Sequence, residues 1–261
     1  MNGEDGASAP QEQTYTFDEL NRRDLLKGTL RLASGAVVMV AGAGAATTTD
    51  YEWTEHKYAY LIDISKCIGC GSCVRACAAE NHVPKGFFRT WVERYLVSHD
   101  HGAYVDSPNG GREGFPPVDT NVKPTKSFFV PKMCNHCTAT PCIQVCPVGA
   151  SYGTKDGLVL VDDKRCIGCG YCVQACPYGS RYINEETGCA DKCTWCYHRI
   201  TKGLKPACVE VCPTGTRQFG DMKNENDPVR AQLEKEPVTI LQEHLLTEPN
   251  CFYLHADKEV R

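Results

Sequence analysis

Several things are missing from this sequence, and each absence narrows what the chain can be. Outside its N-terminal region it has no clean apolar run of about 18 residues or more, which excludes a transmembrane helix from its body. It lacks a basic excess. Its 28 Lys and Arg stand against 32 Asp and Glu, a formal charge of −4, which argues against a nucleic-acid partner. It also lacks a phosphate loop, an open metal site and a nucleophile–base pair in recognisable context, so no residue is a candidate for bond-making catalysis. Met and Trp are sparse, at four and three residues in 261, a length that suits one or two compact domains.

What the sequence has in excess is cysteine, 18 residues, which implies a disulfide framework, a metal framework or both. Sixteen fall into four groups: Cys67, Cys70, Cys73, Cys77; Cys134, Cys137, Cys142, Cys146; Cys166, Cys169, Cys172, Cys176; and Cys193, Cys196, Cys208, Cys212. Pro147, Pro177 and Pro213 follow the last cysteine of groups two to four, whereas Ala78 follows group one. Groups one and three, CIGCGSCVRAC and CIGCGYCVQAC, agree at nine of eleven positions, while groups two and four end CIQVCPVG and CVEVCPTG. The order is therefore A-B-A′-B′, an internal duplication.

Groups one and three carry the C-x2-C-x2-C-x3-C run of bacterial 4Fe–4S proteins. The spacing follows from the chemistry. Three cysteines on a tight loop reach three irons of one cube, and the fourth, further along a starting helix, points toward a second cube. Gly69, Gly71, Gly168 and Gly170 let the loop curl so that backbone N–H groups face the cluster sulfurs. A disulfide framework does not explain repeated C-x2-C groups with trailing prolines. Structural zinc explains the pairs but not the triplets. Cys189, Cys193 and Cys196 spell the C-x3-C-x2-C of radical S-adenosylmethionine enzymes, but the run of alternating strands and helices those enzymes need is not visible.

At the N-terminus, Asn21-Arg22-Arg23-Asp24-Leu25-Leu26-Lys27 resembles a twin-arginine export signal, followed by a weakly apolar run from Gly28 to Ala46. The cysteines give such a route a reason. A chain threaded unfolded into an oxidising compartment would scramble its thiols into disulfides, so a cluster protein should fold and load metal first. The expected location is the periplasmic side of the cytoplasmic membrane.

From about Tyr58 to Asp221 the chain resembles the four-cluster electron-transfer (beta) subunits of the molybdopterin oxidoreductase family. These include the small subunits of dimethyl sulfoxide, tetrathionate, polysulfide and arsenate reductases. The phrases that carry the resemblance are Lys66-Cys67-Ile68-Gly69-Cys70, Cys134-Asn135-His136-Cys137, Cys176-Pro177-Tyr178-Gly179, Lys192-Cys193-Thr194-Trp195-Cys196, Pro206-Ala207-Cys208 and Phe219-Gly220-Asp221. It implies four 4Fe–4S clusters held by crossed ligation: Cys67/Cys70/Cys73/Cys212, Cys193/Cys196/Cys208/Cys77, Cys134/Cys137/Cys142/Cys176 and Cys166/Cys169/Cys172/Cys146. It also implies an α+β fold of two ferredoxin-like modules, each with two clusters, one inserted in the other, with irregular loops and a C-terminal extension. On that reading residues 1–46 are the signal, 47–97 and 189–222 the outer module, 98–126 an inserted loop with room for a hairpin, 127–188 the inner module and 223–261 a wrapping tail. The implied partners are a molybdopterin-containing catalytic subunit and a polytopic membrane anchor subunit with a quinone or quinol site, as in anaerobic respiration. The chain itself would be an electron-transfer subunit rather than a catalyst. A soluble periplasmic polyferredoxin shuttle and a purely structural cluster protein are the alternatives.

Local patterns add detail. Tyr58 to Ile64 alternates like a strand, and Leu158 to Val161 follows a turn at Lys155-Asp156-Gly157. Asp227-Pro228 reads as the cap and first residue of a helix running to about Glu236, and Cys251 to Leu254 as a terminal strand. Cys189 and Cys251 are left over, either as two small buried thiols or as a disulfide if their Cα atoms lie within about 7 Å. His136 reads as a packing or hydrogen-bonding residue, and Trp195 and Tyr178 as apolar cover. Lys66, Arg165, Lys192 and Lys205 are positioned either to offset thiolate charge or to face solvent.

Overall fold

The computed structural model describes residues 51–98, 102–118 and 123–260, within the unit Thr48–Arg261. The export motif and the apolar run behind it lie outside the described residues. In chain order the elements are β1 (Tyr58–Asp63), α1 (Ser72–Glu80), β2 (Thr90–Ser98), β3 (Gly102–Asp106), β4 (Lys126–Met133), α2 (Pro141–Gln144), β5 (Ser151–Gly153), β6 (Val159–Val161), α3 (Tyr171–Gln174), β7 (Arg181–Ile183) and β8 (Ala190–Lys192). They continue with α4 (Tyr197–Ile200), α5 (Ala207–Glu210), β9 (Arg217–Asp221), α6 (Pro228–Lys235), β10 (Val238–Thr239) and β11 (Cys251–Leu254).

Each cysteine group contributes a helix, and the residue after its fourth cysteine decides that helix's length. α2, α3 and α5 are single turns of four residues that carry Cys142, Cys172 and Cys208 and end just before Cys-Pro. Proline has no N–H to continue a helix, and it biases the preceding residue away from helical geometry. Group one has Ala78 at that position, and α1 runs on to nine residues, carrying both Cys73 and Cys77. Asn81 closes it by donating from Nδ2 to the carbonyl oxygen of Cys77 at 3.0 Å.

A four-stranded sheet, in the order β10-β11-β1-β9, frames the molecule. β1 runs antiparallel to β9, with Tyr60 opposite Phe219, and parallel to β11, with Tyr60 opposite Cys251. The strand read from Tyr58 to Ile64 is present as β1, and all six of its residues are buried. The reason is that both faces are covered. Tyr58, Tyr60 and Ile62 pack into the main core with Trp195 and the cysteine loops, while Leu61 packs with Val229 of α6 and Leu254 of β11. The C-terminal residues therefore do more than wrap the module, since β11 is an interior strand of its sheet. Asp227 caps α6 by accepting from the N–H of Val229 at 2.8 Å, ahead of Pro228.

The segment 98–126 includes β3, which pairs antiparallel with β2 in a three-stranded sheet ordered β3-β2-β4. A turn at Pro108–Gly111 follows, with Gly110 and Gly111 buried. Groups two and three are joined by the hairpin β5-β6, and β7-β8 leads into group four. Among the described residues no helix is long and apolar enough to cross a membrane.

Candidate metal centres

The cysteine loops share a backbone device. The third position of each C-x-x-C is occupied by Gly69, His136, Gly168 and Trp195, and all four have positive φ, at 67°, 45°, 67° and 51°. That left-handed conformation costs an L residue about 1–2 kcal/mol, which glycine escapes. His136 and Trp195 hold it through their surroundings. Their rings lie 4.3 Å apart. His136 Nδ1 accepts from the N–H of Val159 at 3.0 Å, so Nε2 carries the proton and donates to the carbonyl of Cys193, also at 3.0 Å. Burial keeps His136 neutral by pushing its pKa well below the usual histidine value. The indole N–H of Trp195 donates to the carbonyl of Cys134 at 3.3 Å. The two residues thus tie groups two and four together through backbone contacts.

The structure gathers cysteines from different groups around shared recesses. Cys67, Cys70 and Cys73 line one with Cys212. Cys134, Cys137 and Cys142 line a second with Cys176. Cys166, Cys169 and Cys172 line a third with Cys146. These recesses hold about 320, 330 and 310 Å³ of space between atoms, part of it open to solvent. Cys77, Cys193, Cys196 and Cys208 are all buried. Asn81 Nδ2 lies 3.6 Å from the sulfur of Cys77 and 3.8 Å from that of Cys196. At the rim of the third recess Cys169 is exposed, as are Ile167 and the nearby Tyr171 at 64% and 57%.

The electrostatics divide the thiols. Burial and neighbouring thiols push Cys77, Cys193 and Cys208 up, and burial takes Cys67 to about 11 and Cys137 to about 12. Cys146 and Cys212 move the other way. Burial opposes this, but backbone N–H groups of Val148, Gly149, Ala150 and Ser151 converge on Cys146, and those of Thr214, Thr216 and Arg217 on Cys212. Such concave nests of N–H groups stabilise anionic sulfur.

Three buried cations stand among the thiols. Arg217 is opposed by burial, but Cys73 and Cys208 hold it firmly protonated. Arg181 is held in the same way by Cys142, Cys134 and Cys172. Lys192 is fully enclosed and donates to the carbonyl of Cys193 at 2.7 Å; burial lowers its pKa, against the pull of Cys134, Cys193 and Cys142. Arg217 Nε and Arg181 Nη2 are buried without a hydrogen-bond partner in the protein. Buried donors of this kind call for an acceptor.

Of the four basic residues read from sequence, only Lys192 stands among thiols. Lys66 pairs with Asp63 and Arg165 with Asp162 at the surface, and Lys205 is exposed. The sequence reading misses Arg181 and Arg217. Their signal is the repeat Cys176-Pro-Tyr-Gly-Ser-Arg181 and Cys212-Pro-Thr-Gly-Thr-Arg217. Tyr178 lines the second recess, with its hydroxyl on Thr247. Cys189 and Cys251 are both free. Cys251 is fully buried in the framing sheet, but Cys189 is only half-buried, with its sulfur near the carbonyl of Asp163.

This donor set suits a polynuclear cluster. Among the described residues no three His, Cys, Asp or Glu side chains are arranged to hold a single ion. Four thiols around a recess, N–H nests on Cys146 and Cys212 and a cation with a spare donor fit the anionic sulfur surface of a cubane.

The chain is an iron–sulfur protein of the dicluster ferredoxin class. Models of the 4Fe–4S dicluster domain match residues 66–150 and residues 125–222. It is similar to the tetrathionate reductase B subunit of Salmonella typhimurium, with 46% identity over 204 residues, 77% of this chain and 74% of the relative. It is 48% identical over 198 residues to the tetrathionate reductase B subunit of Archaeoglobus fulgidus, covering 76% and 82% of the two proteins. Against the B component of polysulfide reductase from Wolinella succinogenes the identity is 37% over 198 residues, covering 75% and 93%. The chain belongs to the family of iron–sulfur electron-transfer B subunits of the tetrathionate, thiosulfate, dimethyl sulfoxide and polysulfide reductases.

Proposed function

We propose that this chain relays electrons through four 4Fe–4S clusters between a molybdopterin-containing catalytic subunit and a polytopic membrane subunit that handles quinone or quinol. Its sixteen grouped cysteines would hold the clusters as Cys67/Cys70/Cys73/Cys212, Cys193/Cys196/Cys208/Cys77, Cys134/Cys137/Cys142/Cys176 and Cys166/Cys169/Cys172/Cys146. The module built on groups two and three is then inserted between the halves of the module built on groups one and four. The observation that carries this reading is the gathering of thiols from separate groups around each of three recesses.

The remaining residues insulate and orient. Trp195, Tyr60 and His136 are fully enclosed between the loops and exclude water there. The hydroxyl of Tyr60 sits 3.1 Å from the sulfur of Cys208. The N–H nests on Cys146 and Cys212 and the buried cations offset thiolate charge. Arg22-Arg23 and the run behind them would send the folded, loaded chain through the twin-arginine route to the periplasmic face of the membrane.

The test is anaerobic purification from cells that express the neighbouring genes. About sixteen irons per chain and four centres in a redox titration followed by electron paramagnetic resonance are expected, together with co-purifying molybdopterin and membrane subunits. Zinc in place of iron, or no reducible centre, overturns the relay. A loaded chain that always purifies alone points to a diffusing shuttle.

A further inference from the structure

The three buried cations are not scattered. Arg217 lines the recess of the first thiol set beside Cys73, and the charge of Cys208 in the second set also acts on it. Lys192 donates to the carbonyl of Cys193 in the second set at 2.7 Å, and the charges of Cys134 and Cys142 in the third set also act on it. Arg181 lines the recess of the third set with Cys134 and Cys142, and the charge of Cys172 in the fourth set also acts on it. Thiol sets and positive charges therefore alternate through the protein.

We propose that Arg217, Lys192 and Arg181 are positioning charges that set the reduction potentials of the clusters on either side of each gap, with each arginine governing one pair. The proposal rests on the ligand sets given above. Its physical basis is direct. An electron added to one anionic cluster raises the energy of an electron on its neighbour, and inside a protein that repulsion is weakly screened. A fixed cation in the gap lowers both energies, so both neighbouring carriers accept an electron more readily.

The anchoring agrees with a fixed role. Arg217 Nη2 donates to Thr90 Oγ1 at 2.8 Å, and Arg181 Nη1 to Ser151 Oγ at 2.9 Å. One further N–H of each, Arg217 Nε and Arg181 Nη2, is left without a protein acceptor. Cluster sulfur is the acceptor chemistry that such a donor matches. The two arginines also occupy the same place in the duplicated C-P-x-G-x-R phrase.

The experiment is a redox titration of the loaded chain by electron paramagnetic resonance, with iron counted in parallel. Arg217→Met should lower the reduction constants of the pair holding Cys73 and Cys208 by at least about tenfold, which is 59 mV for a one-electron couple. The pair holding Cys142 and Cys172 should move far less. Arg181→Met should give the mirror result, and Arg217→Lys should restore most of the shift. Four titrating centres and full iron keep the ligand assignment standing whatever the potentials do. Missing centres in the unmutated protein would refute that assignment instead. Unchanged potentials in the Met variants, or an equal shift of all four centres, overturn the proposal. Should both Met variants lose iron, the Lys variants decide: potentials near wild type support a charge effect, and a tenfold fall in them refutes it.

Discussion

Gly71 and Gly170 offer a matched pair for testing how the inserted segment is seated. They hold the same place in the duplicated motif, each caps the helix that follows, and their φ values are 71° and 77°. Replacing either with alanine forces an L residue into the left-handed region at a cost of about 1–2 kcal/mol. The surroundings then separate them. A Cβ on Gly170 meets nothing within 4 Å, whereas one on Gly71 collides with the carbonyl oxygens of Gly111 and Arg112. Those are backbone atoms at the end of the turn that buries Gly110 and Gly111, with Arg75 donating to the same Arg112 carbonyl, so they cannot yield as a flexible side chain would. Overpacking of that kind adds about 1–3 kcal/mol. Gly170→Ala should therefore lose about 1–2 kcal/mol, and Gly71→Ala about 2–5 kcal/mol. The assay is anaerobic guanidinium titration of the loaded chain, read by bleaching of cluster absorbance and by circular dichroism. The midpoints should fall in the order wild type, Gly170→Ala, Gly71→Ala. Equal losses in the two variants would show that the turn at 108–111 does not rest on the first cysteine loop, and the reasoning would fail.

Other outcomes test other parts of the structure. Cys212→Ser should remove the centre served by Cys67, Cys70 and Cys73 and spare the one served by Cys193, Cys196 and Cys208; Cys77→Ser should do the reverse, as resolved by electron paramagnetic resonance of the two variants. Burial opposes ionisation of Asp63, but Lys66 at 2.8 Å, Ser65 and His255 at 3.0 Å together hold its pKa down at about 2. A carboxyl depressed below its unfolded value stabilises the fold above that value, near pH 4, and loses the contribution as pH falls toward 2. Asp63→Asn should cost on the order of 1–2 kcal/mol near neutral pH, discounted because Lys66 and His255 are about half exposed, and the gap from wild type should close in acid denaturation curves. Stripping the metal anaerobically with a chelator in denaturant should release 18 alkylatable thiols; two fewer would mean that Cys189 and Cys251 are bonded.

What the sequence makes legible here is whatever has a local cause. The cysteine groups, the Asp227-Pro228 cap and the strand at Cys251 announce themselves through spacing, capping chemistry and apolar runs of a few residues. What stays hidden is long-range. β1 alternates in composition, yet both its faces are covered, because α6 and β11 arrive from far down the chain to cover the second face. Nothing near Cys251 says that its strand lies parallel beside Tyr60. Arg181 and Arg217 escape notice because arginine is ordinarily a surface residue, and only thiolate charge on both sides makes burying one tolerable. Lys66 and Arg165 are equally plausible from position alone, but each has an aspartate three residues away that claims it. His136 is legible as a residue in a cysteine loop; its left-handed backbone, which puts it in the place glycine holds in groups one and three, is not.

The placement of β11 sets a timetable for biosynthesis. β1 leaves the ribosome early, but its parallel neighbour is made roughly 190 residues later, a wait on the order of 10–40 s at ordinary elongation rates. The hairpins β5-β6 and β7-β8 need no such wait, since their strands pair with near neighbours in the chain. Loops two and three can thus be shaped while the frame around loops one and four is still open at one side. A nascent chain stalled before Cys251 would leave Tyr60 and Ile62 without a neighbour on that edge, giving quality-control proteases a ready mark of an unfinished molecule.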